Sequence, residues 1–286
     1  MKNQNIILDF ENNSNNGENK DYSEELAEFL GWHVGDGCIS INKRHYQYTL
    51  TGDIVEEYPF YKKVVVPTFN RLFTSQLNNP AKLRIYKSVG VCGIYVFQRD
   101  FIQFLQSNFN LKNGKKYAIS VPFKIKTLRE KICFIRGLFD TDGSIYFCKS
   151  YNKRKKKSIY NAFHYRPKIK LATISYTLIE EVYSLLIGLG FHPRIQKPIK
   201  QRKNEYTMHS VIVDSKSDVL KWIKDIGFKN LKHVTKVNIW EKSGFCPPYT
   251  TLNERLKVLN GRLNPLTFYP NFNDLPLSYI KTTLYS

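Results

Sequence analysis

Two stretches of this chain carry one pattern twice. Phe29-Leu-Gly-Trp-His-Val-Gly-Asp-Gly37 and Ile135-Arg-Gly-Leu-Phe-Asp-Thr-Asp-Gly143 each close an apolar, helix-spaced segment on an aspartate followed by glycine. The residues after each glycine agree too, Cys-Ile-Ser-Ile against Ser-Ile-Tyr-Phe. So do the far ends of the two units, where Asn110-Leu-Lys-Asn-Gly-Lys115 lies over Gly227-Phe-Lys-Asn-Leu-Lys232. Agreement at both ends of a unit marks an internal duplication, and the fold must accommodate two like units with one carboxylate at the matching place in each.

Periodicity gives each unit the order α-β-β-α-β-β-α. Behind Ser23, an N-cap candidate followed by Glu24 and Glu25, the residues Leu26, Phe29, Leu30 and His33 fall on one helical stripe that ends near Gly37. Alternation over 39–41 and 46–51 predicts a hairpin through Asn42-Lys43-Arg44. Helical spacing over 55–73 follows, with Pro59 and Pro67 near its ends or bending it, then a hairpin over 82–98 turning at Gly90 or Gly93 and a helix over 100–109. The second unit reads as a helix over 130–139, strands over 145–149 and 168–173 around a basic loop, a helix over 176–189, strands over 191–197 and 206–213, and a helix over 217–226. The expected fold is mixed α/β: two pseudo-symmetric αββαββα repeats, each with a four-stranded antiparallel sheet, packed through the two motif helices. The expected divisions are a flexible tail over 1–22, a first repeat over 23–128, a second over 129–243, and an extension over 244–286 made irregular by Pro247, Pro248, Pro265, Pro270 and Pro276 around one helix at 252–259.

Composition narrows the partners. The 286 residues, 42% hydrophobic, suffice for a real core, and 44 Lys and Arg against 24 Asp and Glu leave a formal +20 that points to nucleic acid. No segment reaches the 18 consecutive apolar residues of a membrane span, and the N-terminus lacks the apolar core of a secretory signal. The five cysteines are odd in number, scattered and without zinc-ligand spacing, which fits reduced thiols in an intracellular compartment. A start at Met1 without splice-junction residues argues against an intein.

The duplicated aspartates carry the chemistry. Gly31 and Gly35 lie on one helix face, matched by Gly137 and Thr141, and small residues so placed let two helices approach at backbone distance. If the motif helices pack about a pseudo-two-fold axis, Asp36 and Asp142 meet at the end of the pair. Asp-Gly after one helix is an ordinary turn, but two at matching places bring together carboxylates that repel unless a divalent cation lies between them. Carboxylate, carbonyl and water oxygens suit Mg²⁺.

These residues resemble the LAGLIDADG homing endonuclease family in its single-chain, two-motif form, over about residues 24–242. The family's third, eighth and ninth motif positions are kept in both copies as Gly31/Gly137, Asp36/Asp142 and Gly37/Gly143. Its sixth, more often acidic, is Asp140 in one copy and Val34 in the other. The resemblance implies a monomeric, metal-dependent endonuclease of intron homing. Such an enzyme hydrolyses both strands of a long, asymmetric double-stranded DNA target across the minor groove and leaves short 3′ overhangs. Asp36 and Asp142 would be catalytic and metal-holding, with the backbone carbonyls of Gly35 and Thr141 as further ligands. Lys115 and Lys232 match the positions where the family sets a basic residue near the scissile phosphate, Lys116 being an equal choice in the first repeat. Mg²⁺ is the implied cofactor, with Mn²⁺ substituting and Ca²⁺ supporting binding without cleavage.

Strand alternation assigns the DNA face. Ile39, Ile41, Leu50, Leu83 and Ile85 pointing inward send Ser40, Asn42, Gln47, Thr49, Thr51, Lys82, Arg84 and Tyr86 outward, with Lys43 and Arg44 at the hairpin tip. In the second repeat Ile169 and Leu171 inward send Lys168 and Lys170 outward, with Arg194 and Gln196 beside them. The loop from Lys149, with Lys153 and Arg154, suits phosphates. The alternative is a catalytically silent binder of the same fold, an RNA maturase acting on intron RNA or a transcription regulator. A basic structural protein of a nucleoprotein particle would explain the charge but not the duplication.

Overall fold

The computed structural model describes residues 18–114, 119–150, 159–196, 198, 206–272 and 274–285. The first repeat runs through α1 (Glu18–Asp36), β1 (Gly37–Asn42), β2 (His45–Asp53), α2 (Tyr58–Phe60), a π-helical turn (Tyr61–Val65), α3 (Val66–Leu72), β3 (Arg84–Tyr86), β4 (Val91–Val96) and α4 (Arg99–Phe109). The second has α5 (Leu128–Thr141), β5 (Gly143–Cys148), α6 (Ile159–Ala162), β6 (Arg166–Thr173), α7 (Tyr176–Gly188), β7 (Arg194–Gln196), β8 (His209–Val213) and α8 (Lys216–Asp225). Beyond it lie α9 (Leu231–Ser243), α10 (Leu252–Leu259) and α11 (Leu277–Tyr285). Among the described residues no helix is long and apolar enough to cross a membrane.

The expected fold is the one observed. Two four-stranded antiparallel sheets have the matching orders β1-β2-β4-β3 and β5-β6-β8-β7. In the first, Gly37 faces Leu50 and Ile39 faces Tyr48; in the second, Gly143 faces Leu171 and Ile145 faces Ile169. This pleat buries Ile39, Tyr48, Leu50, Ile94, Ile145, Ile169, Leu171 and Val211 against the helices and leaves the opposite faces to side chains such as Ser40, Gln47, Thr49, Lys168, Lys170 and Arg194. One apolar core runs through both repeats, from Phe29 and Phe69 to Leu138 and Trp222. A smaller one, around Phe163, Phe245, Tyr269 and Ile280, ties the extension to α6.

Several local expectations change. α1 starts at Glu18, so Ser23 lies inside the helix rather than capping it and the expected tail loses its last residues to α1; the rest of that tail lies outside the described residues. The helical run after β2 absorbs both prolines. Pro59 sits in the first turn of α2, where its missing N–H has no intrahelical role, and the Val66 N–H reaches back five residues to the Tyr61 carbonyl in a π-turn just ahead of Pro67. The second hairpin turns at Gly90, whose φ of 68° places it in the left-handed region, while Gly93 lies within β4. Ile85 was expected inward but is 44% exposed, on a three-residue strand at the edge of its sheet. α9 and α11 have no counterpart in the sequence reading. α9 carries β-branched and polar residues on its buried side, His233, Thr235 and Val237 among them, and so lacks an apolar stripe.

Candidate active site at the crossing of the motif helices

The ends of α1 and α5 are positioned by the contact between those helices. A side chain on Gly31 would collide with the Phe134 carbonyl and the Leu138 amide, one on Gly137 with the Glu28 carbonyl, and one on Gly35 with the Thr141 hydroxyl. The two backbones therefore touch, as glycine at these positions allows. A β-carbon built on Gly35 would lie 3.3 Å from the Asp142 amide nitrogen, which brings the two Asp-Gly steps to one point between the two sheets. Asp36 is half-buried and is the last residue of α1. Asp142 is exposed and caps α5, its N–H donating to the Leu138 carbonyl.

Lys232 and Asp140, both marked by the sequence, and Tyr61, Glu57, Asn230 and Glu28, which it did not mark, surround this point. The Tyr61 hydroxyl, on the π-turn, donates to Asp36 Oδ2 at 3.2 Å. Burial, with the Asp36 and Glu57 carboxylates beside it, pushes the Tyr61 phenol well above its ordinary range, so it stays a donor. Glu57, one turn before Tyr61, is buried. It accepts from the Asp53 amide (2.8 Å), from Asn230 Nδ2 (2.8 Å) and from Lys232 Nζ (2.7 Å). Lys232 Nζ also donates to the Thr141 carbonyl at 2.8 Å, which sets an ammonium at the end of the second motif. Asp140, fully buried, accepts from the amides of Lys229 and Asn230 at 3.0–3.1 Å; burial raises its carboxyl to about 7 against the opposing pull of those N–H groups. Glu28 of α1 closes the network on Arg136 (3.0 Å) and Lys229 (2.7 Å). Glu57 and Tyr61 come from the turn after β2, Asn230 and Lys232 reach Glu57 across the repeat boundary, and Asp140 is held within the second repeat. The Glu57/Tyr61 spacing of one helical turn was the single hint the sequence held.

The donor set at the crossing is two carboxylates and the main-chain carbonyls at two helix ends, all hard oxygens of the kind Mg²⁺ takes. Among the described residues no further His, Cys, Asp or Glu joins them, which leaves the other coordination positions to water and phosphate oxygen. The residues fit such an ion, with the Thr141 carbonyl already engaged by Lys232. Lys115 and its alternative Lys116 lie outside the described residues, as do Lys153 and Arg154.

The side chains expected to face DNA gather on two surfaces. Pairing puts Ser40 beside Gln47 and lines Thr51 up through Gly93 with Arg84, on the face that also holds Thr49. Ser40, Asn42, Lys43, Arg44, Lys82, Arg84 and Tyr86 are exposed, and Gln47, Thr49 and Thr51 are half-buried. On the second sheet Lys170 pairs through Ile212 with Arg194, with Lys168 and Gln196 on the same face. These cations are partly engaged: Asp214 takes Arg194 at 2.9 Å and Lys168 at 3.5 Å, and Lys170 donates to Gln196 at 3.3 Å. Lys149 is exposed at the end of β5. All five cysteines are free.

Comparison with known proteins agrees with this geometry. A family model described as a LAGLIDADG-like domain matches residues 129–227. The replication factor C small subunit of Methanocaldococcus jannaschii is 26% identical over 248 residues, 85% of this chain and 12% of that protein. The replicative DNA helicase DnaB of Rhodothermus marinus is 31% identical over 207 residues, 71% of this chain and 20% of that protein. The chain thus spans a fifth or less of the length of these curated relatives. Among solved structures, a mutant of I-SmaMI shares the fold with a TM-score of 0.51 at 11% identity, covering 91% of this chain and 97% of that one. Residues 129–227 form a LAGLIDADG-like domain, the first repeat has the same architecture and the two motif helices are in backbone contact, so the chain has the two-repeat LAGLIDADG fold.

Proposed function

We propose that the protein is a site-specific, divalent-metal-dependent DNA endonuclease of the homing type that cuts both strands of a long, asymmetric target and leaves short 3′ overhangs. The observation that supports this reading is the backbone contact of the two motif helices, which sets Gly35 against Thr141 and the Asp142 amide and so brings the Asp36 and Asp142 steps to the same end of the helix pair. A binding protein gains nothing from two carboxylates in repulsion, whereas a hydrolase needs them to hold a cation against a phosphate. Asp36 and Asp142, with the Gly35 carbonyl, would hold Mg²⁺, which when bound supplies a water of lowered pKa and polarises the phosphate oxygens. Tyr61 orients the Asp36 carboxylate by its hydrogen bond. Lys232, held by Glu57, presents its ammonium where charge grows on the scissile phosphate. The side chains on the two sheets differ, Ser40, Gln47, Thr49, Thr51 and Arg84 against Lys168, Lys170, Arg194 and Gln196, which suits a target without a palindrome. A single chain that holds both motifs works as a monomer.

A second reading, a DNA or RNA binder without cleavage, draws on the Lys232 ammonium that already occupies the Thr141 carbonyl. One experiment separates the two. The protein is incubated with a randomised duplex library in Ca²⁺, bound DNA is retained, and Mg²⁺ is added. Defined cuts in one enriched asymmetric site support the endonuclease; enrichment without cutting rejects it in favour of the binder.

A further inference from the structure

The duplicated units treat one matching carbonyl differently. In the first repeat the free edge of β1 is sealed by the chain itself: the Gly114 amide donates to the Ile39 carbonyl at 3.2 Å, and Asn113 Oδ1 accepts from the Ile41 amide at 3.0 Å. Ile145 is the counterpart of Ile39, three residues after the motif aspartate. Among the described residues its carbonyl accepts from Lys236 Nζ, at 3.5 Å, and from no main-chain N–H outside the sheet. Between the β5 edge, α9 and the segment leading to α10 there is instead a cleft of 670 Å³. Lys232, Lys236, Lys149, His164 and Arg255 are among the residues that line it.

Two features equip this cleft for a nucleotide. Lys236 is half-buried, and among the described residues no carboxylate lies within ion-pair distance of it. Burial, with the Arg255 guanidinium alongside, draws its ammonium below the ordinary lysine range, so an anion entering the cleft would relieve it. The nearby carboxylate, Glu56, is spent on Arg255 and on the Leu252 amide at 2.8 Å. Then Tyr249, after Pro247-Pro248 and at a φ of 57°, stands fully exposed at the rim. Its loop is fastened on both sides: the Cys246 amide donates to the His164 carbonyl at 2.9 Å, and buried Arg255 donates to the Thr250 carbonyl and, at 2.9 Å, to Thr235 Oγ1. A bulky aromatic held in left-handed backbone and bare of packing gains nothing for stability, while a rigid ring beside a cationic groove is how proteins take a nucleotide.

We propose that this cleft is a DNA subsite present on the second repeat alone, in which Lys236 takes a backbone phosphate and Tyr249 stacks on the neighbouring base of the strand that leaves the motif end. The subsite rests on the endonuclease reading for its substrate, duplex DNA, but its test is binding and not cleavage. The full chain is titrated in Ca²⁺ with a mixed-sequence duplex of about 30 bp. Tyr249→Ala weakens binding about tenfold while Tyr249→Phe keeps it, because the ring and not the hydroxyl makes the contact. Lys236→Gln lowers the slope of log affinity against log salt by about 1. Light-induced cross-linking to 5-iodouracil in the same duplex maps to the peptide holding Tyr249. Tyr249 packs on nothing, so its variants fold. Wild-type binding with unchanged affinity in Tyr249→Ala and unchanged slope in Lys236→Gln overturns the subsite and leaves the endonuclease reading standing. Weakened variants of a protein that never cuts support the subsite and remove the enzyme. Preference for a single-stranded RNA of the same sequence overturns the assignment to DNA.

Discussion

Asp36 and Asp142 answer to different neighbours although they hold matching places in the duplication. Asp36 is steadied by the Tyr61 hydroxyl, and Asp142 lies beside the carbonyl that receives Lys232. Asp36→Asn and Asp142→Asn are each expected to lower double-strand cleavage by about 10³-fold or more while changing binding less than about threefold, measured on the enriched target. Full activity in either variant would sink the shared site. A second residue sets an acid limit. Burial, reinforced by the nearby cations Lys232, Lys236 and Arg255, holds the His233 imidazole well below its ordinary value of 6.5. Its folded pKa lies under its unfolded one, so the unfolded chain binds the extra proton and stability falls as pH drops below 6.5. Denaturant midpoints taken across that range are expected to fall for the wild type and to fall less for His233→Leu. The aspartates were legible in the sequence because duplication displays them twice. Glu57, Tyr61 and Asn230 were not, since Glu57 and Asn230 meet across the repeat boundary and no local pattern records such a meeting.

The motif helices are the elements on which the site depends. Gly31 and Gly137 face backbone, so an added methyl at either cannot be absorbed by a change of rotamer. Gly137→Ala is expected to cost about 3 kcal/mol, at the upper end of what overpacking does, seen as a lower urea midpoint at unchanged slope. A loss below about 1 kcal/mol would mean that the helices part easily. Strands and most helices were legible because each sheet has one buried face and each helix one apolar stripe. The exceptions have physical causes. The first turn of α1, Glu18 to Lys20, has no apolar residue to reveal it, α9 buries polar side chains, and β3 is too short to be covered. Pro59 and Pro67 left the path between β2 and β3 open to more than one reading, and a π-turn was the solution the chain took.

At the scale of the whole molecule, +20 of formal charge and two sheet faces carrying cations describe a surface for a polyanion. If about eight phosphates are neutralised, the log–log salt slope of DNA affinity is expected near −7, and a slope shallower than about −3 would reject the two sheets as the main binding surface. One continuous core through both repeats also implies one unfolding event. Tryptophan fluorescence, reporting Trp32 in one repeat and Trp222 and Trp240 in the other, and far-ultraviolet circular dichroism are expected to trace the same denaturation curve. Separate transitions would show that the repeats are independent domains. The edges of the two sheets add a property that duplication alone could not supply. A duplex backbone looks alike from either end, and a perfectly doubled protein could settle on it facing upstream or downstream with equal ease. With the edge of β1 sealed by Gly114 and a cleft along that of β5, this molecule has a front and a back, so once the bases of an asymmetric site decide which way it faces, the two halves of that site meet unlike edges.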